Sequence, residues 1–140
     1  MAPSWLVPAF GELIAGVAEI PGPASNARID KYLATVGLPS DDAIPWCAAF
    51  ANWTLTEAGI GGTRKASARS FIGWGEPCEY RVGAVCVLAR GDPKGWQGHV
   101  GFVVGQEPGR VFLLGGNQGD AVSVAAFKTS RLLGYRWPKA

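Results

Sequence analysis

Pro45-Trp46-Cys47-Ala48-Ala49-Phe50-Ala51-Asn52-Trp53 reads as the start of a helix with a cysteine in its first turn. Pro45 suits the first helical position, because its missing N–H is not needed there and its φ is already helical. Trp46, Phe50 and Trp53, with Ala49 and Ala58, fall at three- and four-residue steps, which predicts one apolar, buried face. Gly59 fits the position just past the helix end, where a left-handed residue is wanted. Cys47 is then held on a rigid element close to free backbone N–H groups. A thiolate, not a thiol, is the nucleophile, and a helix N-terminus stabilises the anion. The plain alternative is a small buried hydrophobe, since free cysteine is among the most buried residue types.

Working outward, the chain divides by period. Upstream, Pro8 to Ala18 reads as a helix, broken by Glu19-Ile20-Pro21-Gly22-Pro23. Ser25 is placed to cap a second helix with an apolar stripe of Ile29, Tyr32, Leu33 and Val36, ended by Gly37 and Pro39. Ser67 to Trp74 reads as a short helix, closed by Gly75 to Pro77. Beyond it the pattern is that of strands: Val85 to Leu88, Val100 to Val104, Val111 to Leu114, Val122 to Ala126 and Leu132 to Trp137. Glu107-Pro108-Gly109 is a hairpin turn. Helices followed by consecutive strands predict an α+β fold with an antiparallel sheet of about five strands. Residues 1–140 are read as one domain, helical over about 8–74 and sheet over about 83–137.

Composition narrows the function. A hydrophobic content of 48% excludes a disordered chain. A net charge of +2, with no basic run, leaves no nucleic-acid footprint. Three cysteines is an odd number, so at least one is unpaired or reactive. Cys86 lies in an apolar run and reads as a buried thiol; Cys78 and Cys86 can pair, although nothing in their spacing requires it. One histidine, with no C-x-x-C, makes a zinc site improbable, and neither metal nor cofactor is expected. The first residues have no charged n-region and no long apolar stretch, so neither a signal peptide nor a membrane span is expected.

Two further stretches bear on Cys47. His99, the only histidine, opens the strand Gly98-His99-Val100-Gly101-Phe102-Val103, where its ring can point into a cleft. Leu114-Gly115-Gly116-Asn117-Gln118-Gly119-Asp120 is a glycine-flanked turn after the next strand; plain turn chemistry also explains it. The order of helix cysteine, strand histidine and amide matches the layout of papain-like cysteine hydrolases, in which an Asn orients the histidine.

These runs, with the closing Leu133-Gly134-Tyr135-Arg136-Trp137-Pro138, resemble the NlpC-type and CHAP superfamily of cell-wall hydrolases, most nearly its short phage and prophage-encoded members. The resemblance extends from about Glu19 onward. It implies a papain-like fold, Cys47 as nucleophile, His99 as general base and later acid, and Asn117 as the orienting third residue. The implied activity is cysteine-dependent hydrolysis of peptidoglycan, as an endopeptidase or an N-acetylmuramoyl-L-alanine amidase, with bacterial peptidoglycan as the partner. No nucleic acid or membrane partner is expected, and the chain is read as a monomer, made in the cytoplasm and delivered to the wall by another factor. Trp46, Trp96, Gln97 and Asp42 are the expected substrate-binding residues. Two other readings keep these residues: a deamidase or acyltransferase effector, and a non-catalytic wall-binding or structural phage component.

Overall fold

A computed structural model describes residues 2–139. Three α-helices, α1 (Leu6–Ile14), α2 (Ala27–Thr35) and α3 (Cys47–Glu57), precede a 3-10 helix over Ala68–Gly73. Six strands follow: β1 (Glu76–Cys78), β2 (Val85–Ala89), β3 (Gly98–Glu107), β4 (Arg110–Gly115), β5 (Ser123–Lys128) and β6 (Leu132–Trp137). They form one antiparallel sheet in the order β1-β6-β2-β3-β4-β5.

The expected α+β class and antiparallel sheet are found, with local differences. The sheet has a sixth strand, because Glu76-Pro77-Cys78 pairs with Tyr135-Arg136-Trp137 at the edge. Three residues with a central proline carry no periodicity, and an edge position tolerates the proline. The first helix starts at Leu6 and ends at Ile14, ahead of Gly16 in left-handed φ. Asn26, not Ser25, caps α2: its side chain accepts from the Arg28 and Ile29 N–H groups. Ser25 Oγ instead donates to Asp30 in the first turn.

Helix α3 begins at Cys47, with Trp46 as its N-cap and Pro45 one residue before it. The expected single apolar face is an underestimate, because every residue from Ala48 to Leu55 is buried. The helix lies between α2 and the sheet. On one side Tyr32 stacks edge-on to Phe50 at 5.1 Å and lies 5.0 Å from the Trp53 ring. On the other stand Val85, Val87, Val100, Phe102 and Leu114 from the sheet. Burying aromatic side chains of this size stabilises by about 1.5–3 kcal/mol each. The opposite sheet face has its own core of Cys86, Leu88, Val103, Val111 and Leu113. Strand β2 is buried throughout, which explains its unbroken apolar run.

Among the described residues the polar side chains inside the core are paired, apart from the buried Thr54 hydroxyl of α3, which has no hydrogen-bond partner. Glu12 is buried on α1, takes a bidentate pair from Arg28 at 2.8 and 2.7 Å, and accepts the Tyr32 hydroxyl at 2.6 Å. This clamps α1 to α2. Asn52, inside α3, accepts from the Arg64 N–H at 2.7 Å and donates to the Ala48 carbonyl at 2.9 Å, holding the 61–65 loop. Among the described residues no helix is long and apolar enough to cross a membrane.

Candidate active site

The first turn of α3 meets the sheet where β3 begins. The Cys47 thiol is set against the backbone N–H of Val100, the residue after His99, and against those of Ala48 and Cys47 itself. Strand β4 pairs with β3 from Phe102 onward, and Gly116, just past the end of β4, lies against the helix end. Gly116 allows the approach. A Cβ at that position would lie 2.6 Å from the Phe50 Cβ and 2.8 Å from the Trp46 ring.

His99 is 4% exposed and lies on the strand beside Leu88 of β2. Its ring stacks on Phe127 with centroids 5.0 Å apart. Nε2 is 2.8 Å from Oε1 of Gln118. The Gln118 Nε2 donates to the carbonyls of Leu113 at 3.1 Å and Ser123 at 2.8 Å. Both of those partners are pure acceptors, so the amide has one admissible orientation, with its oxygen toward the imidazole. A neutral His99 must therefore carry its proton on Nε2 and keep the lone pair on Nδ1.

That finding corrects the expected third residue. Asn117 lines the same cavity as His99, yet the ring donates its Nε2–H to Gln118. The cause is backbone geometry. Asn117 has φ of 58°, in the left-handed region that Asn tolerates, so it makes the turn. Gln118 then projects back between β4 and β5. The signal was present as two adjacent amides, and only the turn conformation assigns their tasks.

Two expected substrate-binding residues belong to the fold. Trp46 is 1% exposed and packs 5.8 Å from Tyr32, its indole N–H donating to Glu19 at 3.1 Å. It cannot reach a ligand from there. Asp42 is also buried; its Oδ2 accepts the N–H groups of Ile20 at 2.9 Å and Asn26 at 3.0 Å. The structure does bring Trp96 and Gln97 beside Cys47, in a cleft of about 160 Å³ that Pro45, Ser67 and Arg90 also line. Trp96 is 80% exposed. Arg69 was not singled out in the sequence. It holds this wall by donating to the carbonyls of Gln97, Pro93 and Asp92 at 2.7, 2.9 and 2.8 Å.

Electrostatics run against a resting ion pair. Burial pushes the Cys47 thiol above its usual value, while the Val100 and Ala48 N–H groups and the Arg90 charge oppose that rise. Burial also pushes His99 down to about 4, helped by the charges of Arg90 and Arg131 and opposed by Gln118. Both shifts favour the uncharged forms near pH 7, opposite to the stabilised thiolate that the helix start suggests. No hydrogen bond links Cys47 to His99 in this conformation among the described residues. Cys78 and Cys86 are free thiols, as is Cys47. Among the described residues no cluster of three or more His, Cys, Asp or Glu side chains is arranged to hold a metal.

The CHAP domain family model matches residues 39–117, the segment from the loop before α3 to the turn after β4. Among solved structures, the crystal structure of a wild type endolysin, LysIME-EF1, matches with a TM-score of 0.54 at 14% sequence identity. The match covers 79% of this chain and 63% of that one, so this chain spans less than two thirds of the endolysin chain. At that identity the likeness is one of fold. No curated protein matches the chain.

Proposed function

The chain belongs to the CHAP domain family, and on that footing we propose that it is a cysteine-dependent peptidoglycan amidohydrolase of the endolysin kind. The observation that carries this reading is the tautomer lock on His99: Gln118 takes Nε2–H and leaves Nδ1 as a base, next to the backbone that receives the Cys47 thiol.

The chemistry follows from the atoms. Nδ1 of His99 takes the proton from Sγ of Cys47 as the sulfur attacks an amide carbonyl carbon of the wall peptide. Free-protein contacts between catalytic groups are commonly long and tighten once substrate is bound. The developing oxyanion meets the Cys47 backbone N–H, a contact worth roughly 3–4 kcal/mol in such sites. The Gln97 side chain, in the same cleft, is the second donor. His99 then protonates the leaving amine as the C–N bond breaks. Water, deprotonated by the same nitrogen, cleaves the thioester and frees the thiol. Gln118 holds the ring throughout, and Trp96 gives the peptide or sugar an apolar platform. In this reading the protein reaches the wall after release or delivery by another factor.

The test is mass spectrometry of purified peptidoglycan digested with wild type and with Cys47→Ala. New amino termini with the wild type alone are expected, and fragment masses name the bond. Identical patterns from the two proteins would remove the hydrolase reading and favour an acyltransferase or a wall-binding role.

A further inference from the structure

A second cavity, of about 580 Å³, opens beside His99 and shares Arg90 with the cleft that holds Cys47. Its polar side is made by Arg90, Asn117 and Arg131, and Phe127 forms an apolar wall. Two arginines thus face one space, and among the described residues no acidic side chain lines it. Arg131 is aimed: its Nε donates to the Ala89 carbonyl at 3.0 Å, and its guanidinium lies 5.4 Å from the Phe127 ring centre. Arg90 stands at the end of β2, where its backbone N–H bonds the Gln97 carbonyl at 3.2 Å, and it lines the Cys47 cleft as well. The ion pairs among the described residues, Arg28–Glu12 and Arg110–Glu107, lie elsewhere and leave these two charges unneutralised. Both charges act on His99, and that of Arg90 acts on Cys47 also.

A cavity bounded by like charges focuses its field on an incoming ion of opposite sign. The planar guanidinium fork matches a carboxylate, and two forks outmatch any neutral group of that size. We propose that Arg90 and Arg131 form a carboxylate-binding subsite beside His99, which seats an acidic group carried by the peptide next to the scissile amide. This rests on the hydrolase reading above. The carboxylate can come from an acidic residue within the wall peptide or from that peptide's free end; the chemistry recognised is the same.

Defined wall peptides test it, in which each carboxylate is amidated in turn. Wild type is expected to prefer the free acid by roughly tenfold or more in kcat/KM, since a hydrogen bond to a charged group is worth about that factor. The position whose amidation removes the preference identifies the source. In Arg131→Gln and in Arg90→Gln the preference should fall to within about twofold. Arg90 is exposed and its side chain makes no hydrogen bond among the described residues, so Arg90→Gln serves if Arg131→Gln unfolds. Equal rates on acid and amide with wild type, or a preference kept by both variants, would overturn the subsite.

A second readout does not need turnover. In Cys47→Ala protein, N-acetylglutamate should shift the His99 ring and Arg131 Nε–H nuclear resonances saturably, whereas its uncharged diamide should not, and Arg131→Gln should abolish the effect. Saturable shifts in a protein whose wild type leaves the wall intact would keep the subsite and overturn the hydrolase. Wall cleavage with no such shifts would do the reverse.

Discussion

Gln118 accepts the Nε2–H of His99 at 2.8 Å while its own amide protons are held by the Leu113 and Ser123 carbonyls. The ring is therefore oriented by a side chain that has no freedom to turn. Replacing Gln118 by Leu should lower kcat on the order of 100-fold or more, as loss of an orienting partner does in comparable sites. Gln118→Glu, which keeps an acceptor and adds a charge, should restore part of the rate and raise the pKa of the acid limb. Asn117→Ala should lower the rate by only a few-fold, through the turn. The rates and pH profiles of the three variants decide the matter; an Asn117→Ala loss matching that of Gln118→Leu would return the orienting role to Asn117.

Depression of the His99 pKa to about 4 makes stability depend on pH. The unfolded imidazole binds its proton below about 6.5, the folded one only below about 4. Between those values the unfolded state holds more protons, so stability rises with pH through the window and is lost as pH falls. The full loss, reached near pH 4, is up to about 3 kcal/mol, with none from this group above pH 7.5. Thermal unfolding of wild type and of His99→Gln across pH 4–8 checks this: the slope should be smaller in the variant. The acid limb of kcat/KM should likewise sit well below pH 6.5.

Much of this arrangement was legible in the sequence. Cys47 on a helix start and His99 on a strand start are read from local patterns, and both stand where expected. Two kinds of information were missing. Strand β1 exists only because β6 offers an edge to Glu76–Cys78, which no local signal records. Trp46 and Asp42 are chemically suited to binding, yet their neighbours in space, Glu19, Ile20 and Asn26, lie 27, 22 and 16 residues away. The sign of the Cys47 shift was missed for a related reason. The helix end and Arg90 do favour the thiolate, and only the packed structure shows that desolvation exceeds them.

Thiol reactivity should follow from that desolvation. With the Cys47 pKa raised and no resting ion pair, iodoacetamide should label it slowly at pH 7, with a rate that climbs beyond pH 9. Cys86, fully buried and pushed up to about 12, should stay unlabelled in the native state. Arg90→Gln should slow Cys47 labelling at every pH below the thiol pKa, because the charge opposing desolvation is gone. Peptide mapping after timed alkylation reads all three. A Cys47 rate already at its plateau by pH 6 would demonstrate a thiolate–imidazolium pair and overturn the neutral resting state.

Asp42 and Trp46 should act on stability and leave substrate affinity alone. The Asp42 carboxylate gathers two N–H groups from the segment between α1 and α2, just ahead of the turn that leads into Cys47. Asp42→Ala strands both donors in a partly buried place, at a cost of about 2–4 kcal/mol. Trp46→Phe removes the Glu19 contact and leaves a gap against Tyr32 and Phe50, which costs about 1–3 kcal/mol. Neither side chain faces the cleft formed by Trp96, Gln97 and Arg90, so KM should change less than twofold while the variant stays folded. Trp96→Ala should show the opposite behaviour. That ring is 80% exposed, its removal leaves the melting temperature within about a degree, and KM rises several-fold. Melting curves and KM values measured together on the three variants separate residues that hold the helix end in place from one that meets the substrate. A large KM effect at Trp46 with an unchanged melting temperature would mean that the indole leaves its buried site when substrate binds.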